Sequence, residues 1–190
     1  MPPNTGVEVV RAARDAELTR QRILDAAIDA FAEHGFDGAS TRVIAGKAGV
    51  DPRLIGRYFG SKEGLFEHVV QTTFEHPLMM VPGHNREMAR SLLNDPPEGQ
   101  SKALLLTIRS AGSVRAVEIM QRHIESHYQR DLADRLPSGK VDAFARAALL
   151  IAVCSGVQMQ RNVLGNKGLE GKAPAALVDR LAAVLDLLGS

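Results

Sequence analysis

Residues 40–62 read STRVIAGKAGVDPRLIGRYFGSK. Each residue in this stretch has a local reason to be there. Ser40 is placed to cap a helix by accepting from the free N–H groups of its first turn. Val43, Ile44 and Ala48 give that helix an apolar side, and Gly49 stands where it must stop, because glycine tolerates the left-handed conformation of a helix end. Val50 plugs the corner. Asp51 followed by Pro52 is a start signal, an N-cap carboxylate and then a proline at the first helical position. Leu54, Ile55 and Tyr58 or Phe59 can then face inward, leaving Arg53, Gly56 and Arg57 outward. Ser61 caps a third helix, with Lys62 at its start. A cation is unfavourable at that end of the helix dipole, so Lys62 there suggests an outside anion, for which a DNA phosphate is the natural candidate. Five cations, Arg42, Lys47, Arg53, Arg57 and Lys62, stand against Asp51 alone, in a chain of net charge +1. A compact basic helix pair around a glycine turn is the shape that sets one helix into the major groove.

A short helix–glycine–helix with arginines also occurs in helical proteins that never meet DNA. The particular string is more specific. From Thr19 to Phe66 the chain resembles the DNA-binding domain of the TetR family of bacterial transcriptional regulators. The resemblance is carried by a first helix with Ile23, Ala26, Ala27, Phe31 and Gly35; by Ser40-Thr41-Arg42, Ile44-Ala45 and Ala48-Gly49-Val50; and by Tyr58-Phe59-Gly60-Ser61-Lys62-Glu63 with Leu65-Phe66. The Val50-Asp51-Pro52 opening and the Gly-Ser-Lys-Glu-Gly-Leu-Phe run are similar to members common in actinobacteria. The resemblance implies a regulator, most often a repressor, that binds a palindromic operator as a homodimer and is released by a small molecule. It also implies that Arg42 and Arg53 read bases, that Thr41, Tyr58 and Lys62 contact phosphate, and that Arg57 contacts one or the other. One departure stands out. Many members carry an aromatic residue, often touching phosphate, where this chain has Gly56; glycine there also weakens the helix by up to ~1 kcal/mol relative to alanine.

The remainder of the chain sets bounds. At 190 residues, 45% hydrophobic and 24% charged, it has the composition of an ordinary globular protein with one sizeable core or two small ones. Near-neutral overall charge excludes a bulk polyelectrolyte binder, so DNA affinity must come from local charge. Cys154 is alone, which excludes a disulfide framework and fits a reducing, cytoplasmic setting. The N-terminus lacks the apolar core of a signal peptide, and its first ten or so residues read as a disordered arm, with Arg11, Arg14, Arg20 and Arg22 able to reach phosphates. The longest apolar run, Ala143 to Cys154, is interrupted by Arg146 and falls short of a membrane span of ~20 residues.

Periodicity is helical almost throughout. Ile23, Leu24, Ala27, Ile28, Phe31 and Ala32 make one apolar stripe, and Leu65, Phe66, Val69, Val70, Thr73 and Phe74 repeat its spacing. The expected fold is all-α, about nine helices, with an N-terminal three-helix DNA-binding domain over residues 1–61 (helix-turn-helix about 40–59) and a C-terminal ligand-binding and dimerisation domain over 62–190.

Two C-terminal segments supply the expected dimer interface. One is apolar nearly all round and carries Ala147, Leu150 and Ile151; the other carries Leu177, Leu181, Val184 and Leu185. Packing into the chain's own core is the plainer account of both. In the TetR family the last two long helices usually form a four-helix interface, and a single recognition helix contacts too few base pairs to select a genomic site. The middle of the body offers a candidate pocket for a small, largely apolar effector. Its expected lining includes Phe74, Met79, Met80, Met88 and Leu92, then Leu105, Ile108 and Met120, and finally Ile124, Tyr128 and Met159, since methionines adapt to irregular space. Core packing accounts equally for any one of them.

His123 and His127, four apart, could face one metal, but no cysteine joins them and surface histidines are the better account, so no metal and no cofactor are expected. An enzyme is one alternative. The nearest motif, Gly165-Asn166-Lys167-Gly168-Leu169-Glu170-Gly171-Lys172-Ala173, has the wrong glycine spacing for a phosphate loop, and Ala173 replaces the required Ser or Thr. It reads as a loop between helices, and the chain as no enzyme. A helical scaffold using the same head for protein contacts is the other alternative.

Overall fold

A computed structural model describes residues 5–74, 83–94, 100–137 and 141–190, and among these it contains nine helices, counting α1 as one across its break, and no strand. They are α1 (Thr5–Gly38), α2 (Thr41–Ala48), α3 (Arg53–Phe59), α4 (Lys62–Phe74), α5 (Asn85–Leu93) and α6 (Gln100–Ser110). The seventh, α7, starts as Val114–His123, passes through a π-helical turn at Ile124–Gln129 and ends as Arg130–Arg135. The eighth, α8, runs over Ala143–Gln158 and closes in a second π-helical turn, Met159–Val163. A 3-10 turn at Lys167–Leu169 leads to α9 (Ala175–Gly189). The expected disordered arm is instead helical from Thr5 onward, as the opening of α1.

Two hydrophobic cores organise these helices. The first gathers the α1 stripe, with Ile23, Ala27 and Phe31 fully buried, against Ile44 of α2, Ile55 of α3, and Leu65, Phe66, Val69 and Val70 of α4. Its centre is an aromatic trio: the Phe31 and Phe66 rings meet edge-on at 5.0 Å, and Phe36 and Phe66 at 4.9 Å. Such pairs add about 0.5–1.5 kcal/mol each beyond the area they bury. Leu106 of α6 and Ala116, Ile119 and Met120 of α7 complete this core, so α4 is sandwiched between head and body.

The α1 helix is interrupted at Gly35, whose φ of 70° and ψ of 176° lie in a region reserved for glycine. The groups freed by the break are taken up by α6. The Phe36 N–H donates to Ser110 Oγ at 3.0 Å, and Arg109 Nη1 donates to the carbonyls of Ala32 at 2.6 Å and Glu33 at 2.7 Å. A Cβ on Gly35 would lie 2.2 Å from the Arg109 carbonyl oxygen, so the two backbones meet with no room for a side chain.

The second core joins Met88, Ala89, Leu92 and Leu93 of α5, Leu132 and Ala133 of α7, Ala147, Leu150 and Cys154 of α8, and Val178, Ala182 and Leu185 of α9. This corrects part of the expected dimer face. Ala147, Leu150 and Leu185 are buried within the chain itself, while Ile151, Leu177 and Leu181 are half-buried and Val184 is exposed. A helix apolar on all sides gives no sequence signal for which side meets the core, and the neighbouring Leu149 is the one that faces out, 51% exposed. Burial of Cys154 pushes its thiol up to about 12.

The expectation of no span-length apolar helix also needs correction. With its π-helical turn, α8 covers Ala143–Val163, long and apolar enough by length and composition to cross a membrane, and only 28% of that window is buried. Arg146 within it is buried and donates to the carbonyls of Pro137, Gly189 and Ser190, which ties the start of α8 to the end of α9.

Candidate nucleic-acid interface

The expected capping hydrogen bonds form, although α3 starts at Arg53, so Pro52 precedes the helix where it was expected as the first helical residue. Ser40 Oγ accepts from the Val43 N–H at 3.2 Å, Gly49 turns left-handed at φ 64°, Asp51 Oδ1 accepts from the Arg53 N–H at 2.8 Å, and Ser61 Oγ accepts from the Gly64 N–H at 3.1 Å. The α3 helix is then anchored by buried Ile55 and Phe59, with Leu54 and Tyr58 partly buried beside them. Helical spacing puts Arg53, Gly56 and Arg57 together on the outer face, and all three are exposed. Arg42 is exposed at the start of α2, next to half-buried Thr41. Val43 was expected on the inner side of α2 but is 42% exposed, so Ile44, Ala45 and Ala48 hold that helix down instead.

Several cations have partners inside the head that the sequence did not disclose, Lys47 with Glu33 among them. Arg22 donates from Nη2 to the carbonyls of Ala48 at 2.5 Å and Gly49 at 3.3 Å, clamping the turn; a cation at a helix C-terminus is also favoured by the dipole. It is therefore a brace of the turn, not the free phosphate contact expected of it. Arg20 lies over the Phe59 ring and beside Glu17, while Arg11 and Arg14 are exposed on α1. Lys62 places its ammonium 4.5 Å from the Phe36 ring centroid, so a cation–π contact accounts for a lysine at this helix start without any outside anion. Arg53 is paired with Asp51, whose carboxyl it holds at about 2, chiefly through their side-chain hydrogen bonds.

The expected effector lining is not gathered around one cavity. Met88 and Leu92 belong to the second core and Met120 to the first, all as tightly buried packing residues, and Met159 is 40% exposed. Phe74, Leu105, Ile108, Ile124 and Tyr128 are half-buried, and Met79 and Met80 lie outside the described residues. The Tyr128 hydroxyl is buried without a hydrogen-bond partner among the described residues, and burial raises its pKa well above the usual phenol value. A cavity of about 160 Å³ opens elsewhere, between Asn85, Leu132, Leu136, Leu150 and Leu185. His123 and His127 stack their rings at 4.8 Å. The glycine-rich segment after α8 is a loop: Asn166 Oδ1 accepts from the Gly168 N–H at 2.9 Å, and Ala173 donates to Asn94.

Two family models cover this arrangement. Residues 23–69 match the model described as bacterial regulatory proteins, tetR family, and residues 84–188, more than half the chain, match the tetracyclin repressor-like C-terminal domain. The chain belongs to the TetR family.

Among curated TetR-type relatives, the HTH-type transcriptional repressor SCO4008 of Streptomyces coelicolor is 41% identical over 71 residues, 37% of each chain. The chain thus matches little more than a third of that relative's length. Two solved structures share the fold over nearly all of both chains. A TetR-family regulator from Rhodococcus sp. aligns over 92% of this chain and 100% of its own, at 21% identity and a TM-score of 0.67. The multidrug binding protein EbrR, solved with ethidium, aligns over 90% and 99%, at 23% identity and a TM-score of 0.62. In this TetR-family chain a Cβ on Gly56 would meet nothing within 4 Å, so the missing aromatic leaves open space on the outer face of α3.

Proposed function

We propose that the protein is a DNA-binding transcriptional regulator, acting as a repressor, that grips an inverted-repeat operator as a homodimer through α2 and α3. The observation that carries this reading is the outer face of α3. Arg53, Gly56 and Arg57 are exposed together on a helix whose other side is locked to the core by Ile55 and Phe59. In the proposed division of labour, residues 1–61 read DNA, with Arg42 and Arg53 on bases, Arg57 on base or phosphate, and Thr41, Tyr58 and Lys62 on phosphates. Lys62 would have to share its charge between Phe36 and the phosphate.

Residues 62–190 would pair two subunits and hold an effector. The exposed apolar side of α8 and α9, with Leu149, Val184 and Leu187 at 51%, 44% and 74% exposure, supports pairing through that side. Ile151, Leu177 and Leu181 would flank the contact. A small, largely apolar effector would have to open a space among Phe74, Leu105, Ile108, Ile124 and Tyr128, where the Tyr128 hydroxyl, without a hydrogen-bond partner among the described residues, offers it one hydrogen bond. The ethidium held by EbrR, a protein of the same fold, supports that class of ligand.

Salt dependence tests the reading. Phosphate contacts release counterions, so the logarithm of duplex affinity should fall linearly with the logarithm of salt. Affinity for duplex that is absent, or flat between about 50 and 200 mM salt, would leave the protein-contact scaffold as the better account.

A further inference from the structure

The recognition helix opens with a two-point ion pair to the residue that caps it. Besides taking the Arg53 backbone N–H, the Asp51 carboxylate accepts from the Arg53 guanidinium: Nε lies 3.1 Å from Oδ1, and Nη2 lies 2.8 Å from Oδ2. The Arg53 side chain is 90% exposed and that of Asp51 46%, so such a pair does little for stability. What it fixes is direction.

A guanidinium has five N–H donors in a rigid plane. Asp51 occupies the edge formed by Nε and the near hydrogen of Nη2. The edge left over is the far one, made by Nη1 and the outer hydrogen of Nη2. These two donors are parallel and coplanar, and they match the paired acceptors O6 and N7 that guanine shows in the major groove. Adenine puts a donor beside N7, and cytosine offers a donor where guanine has acceptors, so neither can satisfy the same edge. An unrestrained arginine would also have to give up most of its rotamer freedom on meeting a base.

We propose that Asp51 is a positioning residue that aims Arg53 end-on at one guanine in each half-site of the operator. The inference rests on the DNA-binding reading above and adds to it the base that is read and the residue that enforces the choice. The neighbouring carboxylate also offsets the arginine's charge toward phosphate. Arg53 should therefore contribute to sequence preference more than to bulk affinity.

The test is operator selection from randomised duplexes with the full chain and three variants. The wild type should prefer guanine at one position per half-site by about five- to a hundred-and-fifty-fold, and Arg53→Ala should erase that preference. Asp51→Asn keeps an oxygen to cap the Arg53 N–H but cannot accept two guanidinium bonds. It should cut the guanine preference several-fold at that position alone and leave the preference at the other positions as it was, while loss of the carboxylate's charge raises affinity for all duplexes alike. Asp51→Ser, a second cap-retaining variant, should behave alike and guards against one of them failing to fold. The proposal is overturned if the folded cap-retaining variants keep the full guanine preference, or if the position lost in Arg53→Ala is not a guanine. A wild type that binds a dyad site while the variants change nothing refutes only this inference. A wild type that selects no sequence refutes the DNA-binding reading along with it.

Discussion

The Phe36 N–H donates to Ser110 Oγ at 3.0 Å, one residue past the break in α1, so a body helix is hydrogen-bonded into the backbone of a head helix. Ser110 is 1% exposed, and Ser113 extends the contact to Asp37 at 3.2 Å. The head therefore receives the body through two routes: α4, which continues out of the recognition helix, and the end of α6, which is fastened at Gly35. For an effector to alter operator affinity, it must prefer one setting of these contacts over another.

Closing that junction to a side chain should be costly. Gly35→Ala sets a methyl group 2.2 Å from the Arg109 carbonyl oxygen, in a backbone conformation that costs a non-glycine residue about 1–3 kcal/mol by itself. The expected outcome in thermal unfolding is a loss of at least ~2 kcal/mol, or roughly 4–8 °C. Ser110→Ala, which strands the buried Phe36 N–H, should cost about 1–3 kcal/mol. A Gly35→Ala protein as stable as the parent would show that the junction is not held closed.

Gly56→Ala should act in the opposite sense. Nothing lies within 4 Å of the added Cβ, and alanine removes a glycine from a helix interior, so stability should rise by up to ~1 kcal/mol in denaturant unfolding. Operator affinity then reports what the open space is for. Lower affinity for Gly56→Ala, and more so for Gly56→Tyr, means that bare backbone approaches the DNA; higher affinity for Gly56→Tyr means that the gap is a missing contact.

Two leucines one residue apart on α8 should separate folding from pairing. Leu150 is 2% exposed in the second core, so Leu150→Ala should destabilise the chain by about 2–5 kcal/mol. Leu149 is 51% exposed, so Leu149→Lys should leave the fold intact and break the proposed dimer into monomers in light scattering, as should Leu187→Lys on α9. A Leu149→Lys, Leu187→Lys double variant that remains dimeric would move the interface elsewhere.

The Asp51–Arg53 pair predicts a titration. The Asp51 carboxyl is held at about 2, below its ordinary 3.8, by hydrogen bonds from the Arg53 side chain and backbone. A depressed carboxyl contributes its stabilisation above the unfolded value and loses it as pH falls through the folded one, so the contribution should fade from about pH 4 downward and the pair itself should be half broken near pH 2. Carboxyl chemical shifts should show a midpoint near 2 for Asp51, rising in Arg53→Ala, where the side-chain bonds are gone and only the backbone N–H remains. A wild-type midpoint near 3.8 would contradict the pairing.

The sequence disclosed what is local and missed what is distant. Ser40, Gly49, Asp51 and Ser61 act on groups two or three residues away or on their own backbone, and each does what its type and place imply. The inward set of α3 was legible because Leu54, Ile55, Tyr58 and Phe59 recur at helical spacing between Arg53, Gly56 and Arg57. Arg22 bonding to Ala48, Arg109 to Ala32, and Lys62 lying over Phe36 join positions separated by 26 to 77 residues, with no periodicity to announce them. In α8, nearly uniform apolarity concealed the difference between Leu149 and Leu150. Of the methionines expected around an effector, Met88 and Met120 proved to be core, because a flexible apolar side chain serves packing and pocket equally well.

The central claim is that two copies of the outer face of α3 meet equivalent grooves of one DNA site. The most direct measurement is the mass of the complex on a duplex selected from random sequence, read together with the symmetry of that sequence. The account predicts an even number of chains per duplex, and two half-sites related by a dyad and spaced about one helical turn or a multiple apart. A single chain bound to a site without dyad symmetry would contradict it.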